Sequence, residues 1–273
     1  MDLKLSPATT MQAIHAQKHK RQIEADQQLA ADLDARGTPC SFINGRRLTG
    51  ARPFADFVAI IDEEIAHAQK LHGKGVPGHR LYAHMMKTAK LPPIAPTKTV
   101  AAPSKQNPSL GVGWAKVTIQ MFTDFECPFS ERAQATLDKI EKDYQGKVRL
   151  VHRHMPLSFH KNAQLAHEAA AEAFAQGGNR SFWKMHDLLF QNQSALDRVA
   201  LSGYAAQAGL DVTQFEQALA SGKHQKTIEA DQEIAKQAKI TGTPAFVING
   251  FYLSGTQPYA KFKRIIDHAL KKR

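Results

Sequence analysis

Two cysteines hold the reactive chemistry open to this chain: Cys127 in DFECPFSER and Cys40 in GTPCSFING. They are too few for a disulfide scaffold and too far apart for a zinc ribbon, so each is read alone. Pro128 suits the first turn of a helix, where a missing N–H costs nothing, and Cys127 then stands at the positive helix end. A sulfur so placed is favoured as the thiolate, the nucleophilic form, and a Cys-Pro strand-to-helix junction is expected to expose it. The competing reading is a buried structural cysteine. Asp124 and Glu126 precede the sulfur, either as groups that take its proton and tune it or as solvated carboxylates. His152 and His154, two apart on a strand, share a face as some metal ligands do. No further Cys or carboxylate motif accompanies them, and no metal is expected.

The 273 residues, 42% hydrophobic and 22% charged, exclude collagen-like, coiled-coil and disordered classes and leave room for one large domain or two small ones. No apolar run approaches the roughly 18 residues of a membrane span. The first residues lack the apolar stretch and cleavage site of an intact secretory signal, so either the chain stays inside or its true beginning is missing. The formal charge of +11 is spread along the chain, with Lys271, Lys272 and Arg273 its one dense cluster, so a nucleic-acid surface is not expected.

The elements that must position Cys127 come from a repeat and from periodicity. Residues 23–65 align without a gap on 228–270, with 20 of 43 positions identical, and the ungapped match runs back to Leu5 against Leu210. Between the copies, 91–115 reads as a Pro-rich extended spacer, which gives three segments: 1–90, 91–115 and 116–273. After the spacer, 116–122 alternates as a central strand, 128–143 repeats its apolar residues at helical spacing, and 147–154 is a second strand. Residues from about 160 to 220 show only helical periodicity, including the aromatic run 182–190, which is read as helical core. A helix (227–239), a hairpin around Asn249-Gly250 and an amphipathic helix (258–271) complete the chain. Without the helical insert the order is βαβ then ββα, one mixed α/β sheet covered on both faces: a thioredoxin-like arrangement.

In such a sheet Pro244 of Gly242-Thr243-Pro244 is expected to be cis and to face the nucleophile, with the free Thr243 backbone pairing with an extended client peptide. The strings FTDFECPFSER, RHMPLSFHKNAQLAHEAAAEAFAQGG, FWKMHDLLFQNQ and GTPAFVING resemble the DsbA-like thiol-disulfide oxidoreductases of the thioredoxin-4 type. The 117 residues between Cys127 and Pro244 fit that family's helical insertion. The resemblance covers 116–273 and implies a redox-active cysteine, protein thiol and disulfide clients, and work in the bacterial periplasm. It also marks a departure, because the usual second cysteine is Ser130. A serine hydroxyl cannot resolve a mixed disulfide near neutral pH. Cys127 is therefore the sole attacking thiol of a Cys127-Pro128-Phe129-Ser130 motif in which Pro128 and Phe129 shape the approach and Thr243 and Pro244 position the client. Three outcomes stay open: a monothiol oxidoreductase or isomerase resolved by glutathione or a partner thiol, a module that traps clients without turnover, and a glutathione-dependent reductase or transferase of small molecules. No resident cofactor is expected; glutathione would enter as co-substrate.

Residues 5–65 resemble only the back half of that module, with nothing matching strand one, the nucleophile or strand two. The half either belongs to a longer tandem protein or pairs with another chain, a homodimer included. Cys40 follows Pro39 as Ala245 follows Pro244, so in a completed module it would lie beside a nucleophile as a disulfide partner.

Overall fold

A computed structural model describes residues 6–35, 37–87, 89 and 94–271. Leu5, the linker positions 91–93 and the tail residues Lys272 and Arg273 lie outside the described residues. The chain divides into two compact units, Met1–Pro93 and Ile94–Arg273.

The first unit holds α1 (Pro7–His15), α2 (Lys20–Asp32), β1 (Cys40–Ile43), β2 (Arg46–Thr49), α3 (Phe54–Gly73), a 3-10 turn (Gly78–Arg80) and α4 (Leu81–Met86). Asn44 and Gly45 take positive φ, 45° and 86°, as a two-residue hairpin turn requires. The antiparallel pair β1–β2 runs from Cys40↔Thr49 to Ile43↔Arg46. Thr38–Pro39 is cis.

The second unit holds β3 (Ser109–Leu110), β4 (Val117–Thr123), α5 (Pro128–Asp143), β5 (Val148–His154), α6 (Ala163–Gln191), α7 (Arg198–Ala208), α8 (Val212–Ser221), α9 (Gln225–Gln237), β6 (Ala245–Ile248), β7 (Phe251–Ser254) and α10 (Tyr259–Lys271). The sheet order is β3-β5-β4-β6-β7, with β4 and β5 parallel and the other pairs antiparallel. β4 is buried on both faces. Ile119 and Met121 pack with Leu137 and Ile140 of α5 and with Phe262 and Ile266 of α10, while Phe122 packs with Ala235 of α9. This is the thioredoxin-like α/β fold, with α6, α7 and α8 as the inserted helical part around Phe182, Leu189, Leu201 and Phe215. Within α6 the chain leaves helical geometry at Gly177 and Gly178, where Gly178 adopts φ 60°, ψ −150°.

The Pro-rich segment differs from the extended spacer expected over 91–115. From Ile94 onward it is folded onto the second unit. Thr97 bridges Phe251, Lys98 Nζ donates to the Lys239 carbonyl at 2.9 Å, and β3 adds an edge strand beside β5. The physical reason is that β5 and β7 leave backbone groups open at the sheet edges, and an extended chain satisfies them.

Two polar ties fix α9. Arg153 of β5 and Asp231 of α9 form an ion pair at 2.8 Å with both side chains 4% exposed, and Asp231 also accepts from the His154 amide. Before α9, Lys223 and His224 reach Glu172 of α6 at 2.9 and 2.6 Å. Burial alone would raise the Glu172 carboxyl, but hydrogen bonds from His224, Lys223 and Gln176 outweigh it and hold it below its ordinary range.

Candidate active site

β4 ends at Thr123, a tight loop follows, and α5 starts at Pro128 with Cys127 as its N-cap in extended geometry, φ −75°, ψ 117°. The Ser130 and Glu131 amides donate to the Cys127 carbonyl at 3.0 and 3.2 Å. The sulfur itself, though at the positive end of α5, caps no amide. It turns toward the loop before β6, where Thr243–Pro244 is cis. The thiol donates to the Thr243 carbonyl, with Sγ 3.4 Å from the oxygen. Thus Cys127, Thr243 and Pro244 meet in space across a long stretch of chain. One expectation is corrected: the Thr243 carbonyl is already engaged by the thiol rather than free. The buried Thr243 hydroxyl, by contrast, has no hydrogen-bond partner.

Cys127 is 4% exposed, which corrects the expectation of an exposed sulfur. The cause is the inward turn toward Thr243. Phe129, next in the motif after Pro128, is 53% exposed with the Arg132 guanidinium 5.4 Å from its ring. It offers an apolar surface beside the nucleophile. Ser130 is fully buried, its Oγ accepting from the Asp124 amide at 3.4 Å.

Asp124 and Glu126 hold the loop, and neither is hydrogen-bonded to the sulfur. Asp124 accepts from the Glu126 amide (2.7 Å) and His160 Nδ1 (2.9 Å) as well as from the Leu157 amide, and its carbonyl accepts from the Cys127 amide. Glu126 accepts from the Asn162 amide at 2.7 Å. A buried carboxylate with three donors is satisfied as an anion and stiffens the loop. Gln193, which sequence reasoning missed, donates from Nε2 to the Phe125 and Cys127 carbonyls at 2.7 and 3.1 Å. It ties the helical insert to the nucleophile loop; a lone glutamine beyond a helix end carries no local signal of that role.

Under the loop, Phe125 stacks on His152 at 5.4 Å. His152 and His154 do share a face of β5, and the fold adds a third imidazole that spacing did not reveal, His167 of α6. Burial lowers all three pKa values, His154 to about 4, with Asp231 partly opposing the shift there. Cys40 lies in the first unit after its own cis Thr38–Pro39, partly exposed, with Sγ 4.0 Å from Thr49 Oγ1. Both cysteines are free thiols.

The family model Thioredoxin_4, described as thioredoxin, matches residues 104–268. Among curated proteins, a Na(+)/H(+) antiporter NhaA 3 of Salinispora tropica is 39% identical over 137 residues, which is 50% of this chain and 20% of that protein. An NhaA antiporter of Herminiimonas arsenicoxydans is 34% identical over 142 residues, 52% of this chain and 22% of that one. The chain spans about a fifth of the length of these relatives, and among the described residues no helix is long and apolar enough to cross a membrane. Among solved structures, oxidised BdbD of Bacillus subtilis aligns with TM-score 0.58 at 24% identity, covering 65% of this chain and 98% of that one. A thioredoxin-like oxidoreductase of Silicibacter pomeroyi aligns with TM-score 0.56 at 26% identity, covering 62% and 95%. The catalytic domain of Proteus mirabilis ScsC aligns with TM-score 0.53 at 24% identity, covering 62% and 92%. The chain therefore belongs to the thioredoxin family, with the DsbA-like form of its fold.

Proposed function

We propose that residues 94–273 exchange disulfides with protein clients through Cys127 alone. The observation that carries this reading is the 3.4 Å approach of Cys127 Sγ to the Thr243 carbonyl beside Pro244, in a motif whose fourth residue is a buried serine. The Cys127 thiol gives up its proton to solvent, the thiolate attacks one sulfur of a client disulfide, the client S–S bond breaks, and the second client sulfur leaves as a thiolate that takes up a proton. The mixed disulfide is then attacked by another thiol, from glutathione, a partner or the client itself, which regenerates Cys127. Attack by a second client thiol makes the cycle an isomerisation. The exposed Phe129 ring is the apolar surface available to an incoming peptide beside Cys127. The test is reactivation of scrambled ribonuclease in a glutathione buffer: activity in the native chain and in Cys40→Ala, none in Cys127→Ala. Stable client adducts that accumulate without reactivation would favour the trapping module. Saturation by glutathione with a small-molecule substrate would favour the third reading.

We further propose that the first unit offers a docking face to a second copy of the chain. The repeat keeps Lys18, His19, Ile23 and Asp26 where the second unit has Lys223, His224, Ile228 and Asp231. Lys223 and His224 grip Glu172 and Asp231 grips Arg153, yet the first set is exposed, Ile23 at 54%. Sedimentation of the full chain tests it: a dimer weakened by Ile23→Asp is expected, and a monomer at every concentration refutes it. Peptide mapping without reductant tests a Cys40–Cys127 link between chains.

A further inference from the structure

The three histidines beneath the nucleophile loop have no part in that exchange. Alternation along β5 turns His152 and His154 to one side, and the start of α6 brings His167. The side chains belong to residues 0%, 2% and 0% exposed, and one nitrogen from each lies within 4.8 Å of the other two. His154 Nδ1 is 2.8 Å from His167 Nδ1, where two lone pairs repel unless a proton or a cation lies between them. Nε2 of His152 and Nε2 of His167 are buried with no hydrogen-bond partner, a costly state for a polar atom. We propose that His152, His154 and His167 form a buried three-imidazole site for a d10 transition-metal cation, Zn2+ or Cu+.

The chemistry of the donors fits. Imidazole suits both metals, and a d10 ion imposes no geometry of its own. Metal ligation needs neutral rings, and burial holds all three below their ordinary pKa. Tetrahedral ligation at about 2.0–2.1 Å sets nitrogens roughly 3.3 Å apart, so the trio closes by side-chain adjustment. His186 is the next imidazole, 6.0 Å from His152 ring to ring, with its Nδ1 on Asp187 at 2.9 Å and its Nε2 unpartnered. A carboxylate on one ring nitrogen leaves the other as donor, the usual arrangement behind a ligating histidine. Thr123 Oγ1 lies 3.4 Å from His152 Nδ1, so a bound ion would brace β5 and α6 directly behind the Cys127 loop.

The test is refolding of the full, tag-free chain with Zn2+ or, under anaerobic reduction, Cu+, followed by passage over a weak chelator, metal quantification and X-ray absorption. The expected result is one ion retained per chain, three imidazole nitrogens at about 2.0 Å and no sulfur at about 2.3 Å. His167→Ala should lose the ion and His79→Ala, at an exposed histidine, should keep it. Retention of either metal with that spectrum supports the site. Because core variants can fail to fold, the native chain decides the matter: no retained ion of either metal, or sulfur among its ligands, overturns the proposal.

Discussion

Residues 38–50 and 243–255 share one loop-and-hairpin geometry. Both begin with a cis Thr-Pro bond, turn at Asn-Gly with both residues at positive φ, and close with a Gly amide donating to the Pro carbonyl at 2.9 and 2.8 Å. Their registers agree pair for pair. Burial is where they part. Ala245–Ile248 is buried throughout, whereas among the described residues β1 pairs only with β2 and Phe42 is 40% exposed. Asn249 bonds Thr118 N and Lys116 O of the central-strand region; Asn44 reaches Glu64 and Met85 instead. Local sequence thus specifies the turn, and only a non-local strand partner turns the hairpin into a core.

The sharpest way to break this comparison is the pair Asp231→Asn and Asp26→Asn. Removing Asp231 leaves Arg153 as an uncompensated buried charge and should cost about 3–5 kcal/mol in urea unfolding. Asp26 accepts from Gln22 in its own exposed helix, and its loss should stay within about 0.5 kcal/mol. Equal costs would mean that Asp26 already has a partner of the same kind.

Acidification should act on the second unit. The buried histidines have folded pKa values below the unfolded value near 6.5, so the unfolded chain binds more protons as pH falls. Their stability contribution is complete above about pH 6.5 and drains as pH falls toward 4. His154 alone should remove about 2 kcal/mol by pH 5. Denaturant titration followed by Trp114 and Trp183, both in residues 94–273, reads this; a midpoint unchanged between pH 7 and 5 contradicts it. A smaller effect belongs to the turns: Asn249→Ala should cost about 1–2 kcal/mol and Asn44→Ala less, since only the former cuts two bonds to another strand. Hydrogen exchange in peptides spanning each hairpin measures both.

Much of this fold is legible in the sequence, for reasons that vary by element. α5 is bounded by Pro128 and its apolar spacing, and the hairpins by Asn-Gly, because those signals are local. β3 has two residues and exists only because the edge of β5 accepts it, so no pattern announces it. Within the site, Cys127 and Thr243-Pro244 stand out by residue type. The inward turn of the sulfur, the Gln193 tie and the arrival of His167 depend on packing between distant segments and leave no mark at the positions themselves.

The central claim is that Cys127 alone exchanges disulfides with a client. Intact-mass measurement of the full chain after incubation with a disulfide-bonded peptide tests it most directly. The account predicts a single peptide adduct that maps to Cys127, is discharged by glutathione with return of the free thiol, and is absent in Cys127→Ala. An unmodified Cys127 beside a labelled Cys40, or no adduct at all, would contradict it.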